Sequence, residues 1–124
     1  MRLNRSIIDY LLRRGDEETY LELKSAVQRI DGYASYPDAP SARARRQLRD
    51  LIRHVEDGGR VMIAFIVGLR DVMGFRPNKD VDPEIHKLLL RGSQIGLEIK
   101  AIGVYYDPSR SSIRLWNPDV RTLI

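Results

Sequence analysis

A chain of 124 residues, 43% hydrophobic and 31% charged, has the composition of one globular domain with a single core. Its longest apolar run, Val61 to Gly68, is far below the roughly 20 residues of a membrane-spanning helix, and Asp9 comes too early for a secretory signal, so a cytoplasmic location is expected. The absence of cysteine excludes disulfides, thiolate metal sites and a cysteine nucleophile, while a net charge of +4 permits an anionic partner without proving one.

The stretch SIIDYLLRRGDEETYLELKSA, residues 6–26, reads as a hairpin, because β-branched and aromatic residues flank a polar segment containing Gly15. With Gly15 and Asp16 as the central pair, antiparallel partners sum to about 31, which sets Asp9 opposite Glu22. GYASYPD, residues 32–38, reads as a third strand completing a meander, entered through Asp31 and Gly32 and stopped by Pro37. From Ser41 the period changes. Leu48, Leu51, Ile52 and Val55 follow helical spacing, with Ser41 as N-cap and Gly58 beyond the end.

RVMIAFIVG reads as a strand buried on both faces in the middle of an α/β sheet. A turn-rich loop follows, then a second helix opened by Asp82 and Pro83, with Ile85, Leu88 and Leu89 as its stripe and Gly96 at its end. LEIKAIGVYYD and IRLWN are the last strands, around the turn DPSRSS. The expected order is βββαβαββ, an α/β fold with a mixed central sheet flanked by helices.

Glu22 and Lys24 lie two residues apart in an apparently buried strand, and so on one face. Burying either charge costs several kcal/mol unless it is paired, hydrogen-bonded or bound to a metal. Asp9 opposite Glu22 adds like-charge repulsion. A divalent cation removes that conflict: two carboxylates suit Mg²⁺ or Mn²⁺, and Lys24 beside them suits phosphoryl transfer by orienting the attacking water or neutralising charge growing on phosphorus. The plain alternative is an ionic cluster with no metal. Composition alone gives acid-x-Lys about 0.5 times, yet it occurs twice, the second time as Glu98 and Lys100. Between Ser41 and His54, Arg43, Arg45, Arg46, Arg49 and Arg53 stand against Asp50 alone, which implies a basic helix face.

Five ordered motifs, RSIIDYLL, YLELKS, YPDAPSAR, GFRPNKDVDPEI and GLEIKAI, resemble the C-terminal domain of the sugar fermentation stimulation protein A (SfsA) family. Its members typically show Ser-Arg-Ile-Asp-Phe-Leu, Glu-Val-Lys-Ser, Phe-Pro-Asp-Ala followed by Thr-x-Arg, and Phe-x-Pro ahead of an Asp that opens a helix. That domain is in turn similar to the PD-(D/E)xK, or restriction-endonuclease-like, nucleases. The resemblance implies that Asp9 and Glu22 are metal-binding acids, with the backbone carbonyl of Leu23 as a further ligand, and that Lys24 is the catalytic lysine. The family's Thr-Glu-Arg-Gly-Arg-Lys-His-Leu becomes SARARRQL here: Arg43, Arg45 and Leu48 are kept, Ser41 replaces Thr, and Ala42, Ala44 and Gln47 replace Glu, Gly and His.

The expectation is therefore a Mg²⁺- or Mn²⁺-dependent nuclease domain, an endonuclease or phosphodiesterase, over residues 1–124. The family's N-terminal domain, which resembles an OB fold, is not expected in a chain that begins eight residues before Asp9. DNA of either strandedness is the expected partner, held by Arg43 with Ser41, Arg45 and Arg46. A homodimer would strengthen such binding, and no membrane is expected. The rival is a non-cleaving DNA-binding regulatory protein related to sugar (maltose) metabolism.

Overall fold

Gly15, at φ 62°, turns the chain back on itself, and the two strands it joins set the frame of the fold. The computed structural model describes residues 2–124. Strand β3 (Tyr10–Arg14) pairs antiparallel with β4 (Glu17–Ala26) in the register Tyr10 to Leu21 through Arg14 to Glu17, the expected sum of 31. Ahead of them, β1 (Arg2–Leu3) and β2 (Ser6–Ile7) form a separate two-stranded ribbon, so the first expected strand is broken in two at Ile8 and Asp9. The break has a cause. Ile8 is fully buried, Ser6 Oγ donates to Asp50 at 2.5 Å, and the Asp9 carboxylate accepts the Leu23 N–H that a longer strand would have taken.

The remaining elements are β5 (Gln28–Ile30), β6 (Tyr33–Tyr36), α1 (Ala42–Glu56), β7 (Arg60–Val67), β8 (Phe75–Pro77), α2 (Pro83–Ile95), β9 (Glu98–Asp107) and β10 (Ser112–Asn117). A mixed sheet with two helices is as expected, but the order βββαβαββ is corrected in detail. The central sheet runs β10-β9-β7-β4-β3, with β4, β7 and β9 parallel and the two outer strands antiparallel. The expected third strand of the meander, β6, leaves this sheet: it pairs antiparallel with β5 and parallel with β8 in a three-stranded sheet of its own. Val27 interrupts the chain after β4, and Asp31 and Gly32, both at positive φ, return it one short strand later.

Both helices begin where expected. The Ser41 hydroxyl accepts from Ala44 N and the Asp82 carboxylate from Ile85 N. Leu48, Leu51, Ile85 and Leu89 then pack with Ile63, Phe65, Val67 and Ala101, and Phe65 stacks on Phe75 at 4.2 Å between centroids, joining the two sheets. All of this core lies on one face of the central sheet. Strand β7 is central, but its expected burial on both faces holds only in part: on the second face Ala64 is buried, while Met62 and Ile66 on either side of it are half-buried and outside the core cluster. Two parallel-strand crossovers place α1 and α2 over the same face, so an apolar composition on both sides of β7 coexists with one helical layer.

Candidate active site

Asp9 sits at the bend just before β3, and the β3–β4 register carries it opposite Glu22. In the β4–β7 ladder Glu22 is opposite Ile63 and Lys24 opposite Phe65, so both charged side chains are on the helix-covered face among core residues. Glu22 is only 5% exposed. A carboxylate this buried must be compensated. Its Oε1 accepts from Asp9 N at 3.1 Å, and its Oε2 accepts from Gln47 Nε2 at 3.0 Å and pairs with Lys24 Nζ at 3.1 Å.

Asp9 Oδ2 accepts from Leu23 N at 2.9 Å, so each acid is tied to the other's strand by a backbone donor. Lys24 Nζ also donates to Gln47 Oε1 at 2.7 Å, and Gln47 Nε2 donates to the Ile7 carbonyl at 3.1 Å. Asp9, Glu22, Lys24 and Gln47 line one open cleft of about 310 Å³, whose walls include Tyr36 and, from the first turn of α1, Ser41 and Arg43.

The electrostatics of the cleft are set by burial and by acids. The Tyr36 phenol is pushed up to about 12, first by burial and then by the negative charges of Glu22, Asp82 and Asp38. It stays a neutral donor throughout the physiological range. Behind the wall, buried Asp82 caps α2 and also reaches α1, accepting from Ser41 N at 3.0 Å and from Arg45 at 2.5 Å. Burial alone would raise its pKa; the Ser41 and Ile85 N–H groups and the Arg45 guanidinium overcome that and hold it below the ordinary carboxylate value.

Residues 1–110 match the family model for the sugar fermentation stimulation protein RE domain. The chain belongs to this family. The sugar fermentation stimulation protein homologue of Pyrococcus furiosus is 44% identical over 108 residues, 87% of this chain and 47% of that one. The homologue of Archaeoglobus fulgidus is 36% identical over 124 residues, 100% of this chain and 52% of that one. The solved structure of Pyrococcus furiosus SfsA in complex with Ca²⁺ matches with a TM-score of 0.94 at 39% identity, covering 100% of this chain and 53% of that one. The chain thus spans about half the length of the family relatives it matches.

Within this family domain, the basic segment of α1 is divided. Arg43 lines the cleft, is exposed and has no hydrogen-bond or ion-pair partner among the described residues, and Arg46, one turn on, is likewise exposed and unpaired, though outside the cleft lining. Arg45 is turned to the helix pair instead, bound to Asp82 and 3.6 Å from Glu84, and Arg49 pairs with Glu84. Arg76 and Asn78, from the turn-rich loop, line a second cavity of about 260 Å³ with Asp31, Lys79 and His86, away from the two acids. His54 packs edge-on against Tyr20 at 5.0 Å. Three residues at or behind the site escaped the sequence analysis. Tyr36 was visible only as part of a strand, Gln47 only as a departure from the family motif and Asp82 only as a cap; the partners of Gln47 and Asp82 lie 23 to 41 residues away in the chain.

Proposed function

We propose that this domain is a divalent-metal-dependent nuclease that hydrolyses phosphodiester bonds of DNA. The observation that carries the reading is the convergence of Asp9, Glu22 and Lys24 on one open cleft beside the unpaired Arg43. The donor set fits a hard cation. Among the described residues Asp9 Oδ1 has no donor and Glu22 Oε1 has one, leaving carboxylate lone pairs available in the cleft that both residues line. Leu23 turns its N–H toward Asp9, and in an extended strand the carbonyl of the same residue lies along the same edge, past the start of β3.

Among the described residues no group of three or more acids or histidines is placed to hold a metal ion, so the protein would give Asp9, Glu22 and the Leu23 carbonyl and leave the remaining positions to water and substrate, the habit of Mg²⁺ and Mn²⁺ sites. That a relative was solved in complex with Ca²⁺, another oxygen-seeking cation, supports the same reading.

When bound, the cation supplies Lewis-acid stabilisation of the phosphoryl oxygens. The protein's own residues do the rest. Lys24 has three donors, one of them bonded to Gln47, and is ion-paired with Glu22; a remaining donor would hold the attacking water or stabilise charge on the phosphorus centre. The water's oxygen bonds to phosphorus and the ester P–O bond breaks; the proton lost by the water passes to solvent in the open cleft, and the leaving oxygen takes one from solvent. Arg43 and the α1 N-terminus capped by Ser41 hold the flanking phosphate.

The test is cleavage of supercoiled, linear and single-stranded DNA in Mn²⁺, Mg²⁺ or EDTA, with Glu22→Gln alongside. Metal-dependent cutting by wild type alone is expected. A wild type that binds DNA and never cuts it overturns the proposal in favour of a non-cleaving DNA-binding protein. A site without metal or DNA affinity, in which Glu22→Gln changes only the melting temperature, returns the trio to an ionic cluster.

A further inference from the structure

Gln47 makes three hydrogen bonds with one amide, and their chemistry is one-directional. Its Oε1 accepts from the Lys24 ammonium at 2.7 Å while its Nε2 donates to the Glu22 carboxylate at 3.0 Å and to the Ile7 carbonyl at 3.1 Å. Reversing the amide would set NH₂ against an ammonium and oxygen against both a carboxylate and a carbonyl, so one orientation alone satisfies the site. The distances carry a second point. Coulomb attraction favours the carboxylate as the lysine's partner, and charge-assisted N⁺–H···O⁻ bonds settle at about 2.7–2.9 Å. Here the ammonium sits closer to the neutral amide oxygen, at 2.7 Å, than to Glu22, at 3.1 Å. Lys24 thus gives its hydrogen bond to Gln47, which is anchored through Ile7, and meets Glu22 as an ion pair.

We infer that Gln47 is a positioning residue that keeps the Lys24 ammonium and the Glu22 carboxylate adjacent but not collapsed, by being donor and acceptor at once. The cleavage part of this inference rests on the nuclease reading; the geometric part does not. Without the amide, Lys24 closes on Glu22 and occupies the lone pairs a cation would use. A neutral histidine at this position has one donor and one acceptor, so it could serve Lys24 and Glu22 at the cost of the Ile7 bond.

The experiment compares wild type, Gln47→Leu, which can do neither, and Gln47→His, which can do both. Three readouts are taken: the NMR signal of the Lys24 ammonium protons, affinity for Ca²⁺ or Mn²⁺ alone by calorimetry, and metal-dependent DNA cleavage. In wild type and Gln47→His the ammonium signal is expected to be protected from exchange, and in Gln47→Leu it is expected to move and exchange faster. Metal affinity and kcat are expected to fall roughly 10–100-fold in Gln47→Leu with little change in KM, and to return to within about threefold in Gln47→His. A Gln47→Leu protein with an unchanged ammonium signal overturns the inference, as does a Gln47→His protein no better than Gln47→Leu. If wild type cuts nothing, the nuclease reading fails, and the ammonium signal still decides whether Gln47 positions Lys24.

Discussion

The sequence holds two Glu-x-Lys pairs, Glu22 with Lys24 and Glu98 with Lys100, on strands separated only by β7, and they meet opposite fates. In the ladders Glu22 is level with Ile63 and Ile99, and Lys24 with Phe65 and Ala101, whereas Glu98 is level with Met62 and Lys100 with Ala64. The offset is one residue, and one residue flips the face. The first pair therefore enters the helix-covered side, where Asp9 and Gln47 close around it. The second lies on the uncovered side, exposed, with no ion-pair or hydrogen-bond partner among the described residues. An identical local pattern becomes a candidate site or a solvated pair according to which side of the sheet the helices occupy.

The sharpest break between the two pairs is functional. On the proposed nuclease reading, Glu22→Gln is expected to lower metal-dependent cleavage by roughly 10³-fold or more, since it removes a carboxylate charge from the proposed metal site, while the fold is retained. Measured beside it, Glu98→Gln should cut at the wild-type rate; equal loss in both variants would end the distinction.

Next in size is the frame behind the site. Asp82→Ala is expected to destabilise the protein by about 2–3 kcal/mol in urea unfolding, because it removes the cap of α2, the acceptor of the Ser41 N–H and the shorter of the two carboxylate contacts of Arg45. The sign of its pH dependence follows from a folded pKa that lies below the unfolded value. The Asp82 contribution is complete above the unfolded pKa, about 3.9, and is lost as pH falls through the lower folded value. The acid limb of a stability–pH profile should therefore be shallower in Asp82→Asn than in wild type.

Smaller effects separate the arginines. Arg43→Ala should weaken DNA binding a few-fold and reduce the salt slope by about one, whereas Arg45→Ala should change melting temperature and leave that slope alone. Binding titrations at several salt concentrations check both.

Much of this frame was legible locally. The hairpin register followed from Gly15 and Asp16, the helix starts from Ser41 and Asp82, and the centrality of β7 from its apolar run. Each is a short-range rule. What escaped depends on distant chain segments. Strand β8 hides among turn formers, since Phe75, Arg76 and Pro77 form a three-residue strand made regular by β6 on one side and by a bridge from Phe75 to Thr122 on the other, both distant in the chain. The role of Gln47 needs α1 laid over β4. The half-exposed face of β7 misled for a related reason: residues apolar on both sides imply two covering layers, and nothing within the strand reports that both crossovers put their helices on one side.

The weakest expected effect gives the most exacting version of the comparison. Glu98→Gln with Lys100→Gln removes both charges of the second pair at exposed positions, so stability should stay within about 0.5 kcal/mol of wild type and cleavage should not change. The same double substitution at Glu22 and Lys24 replaces a buried pair held by Asp9, Gln47 and the surrounding core, and neither readout should survive it unchanged. If the exposed pair proved as costly to remove as the buried one, then its surroundings would not be solvent, and the one-residue offset would not be what divides them. If it is silent, the offset together with the one-sided helical layer is what separates the two Glu-x-Lys pairs.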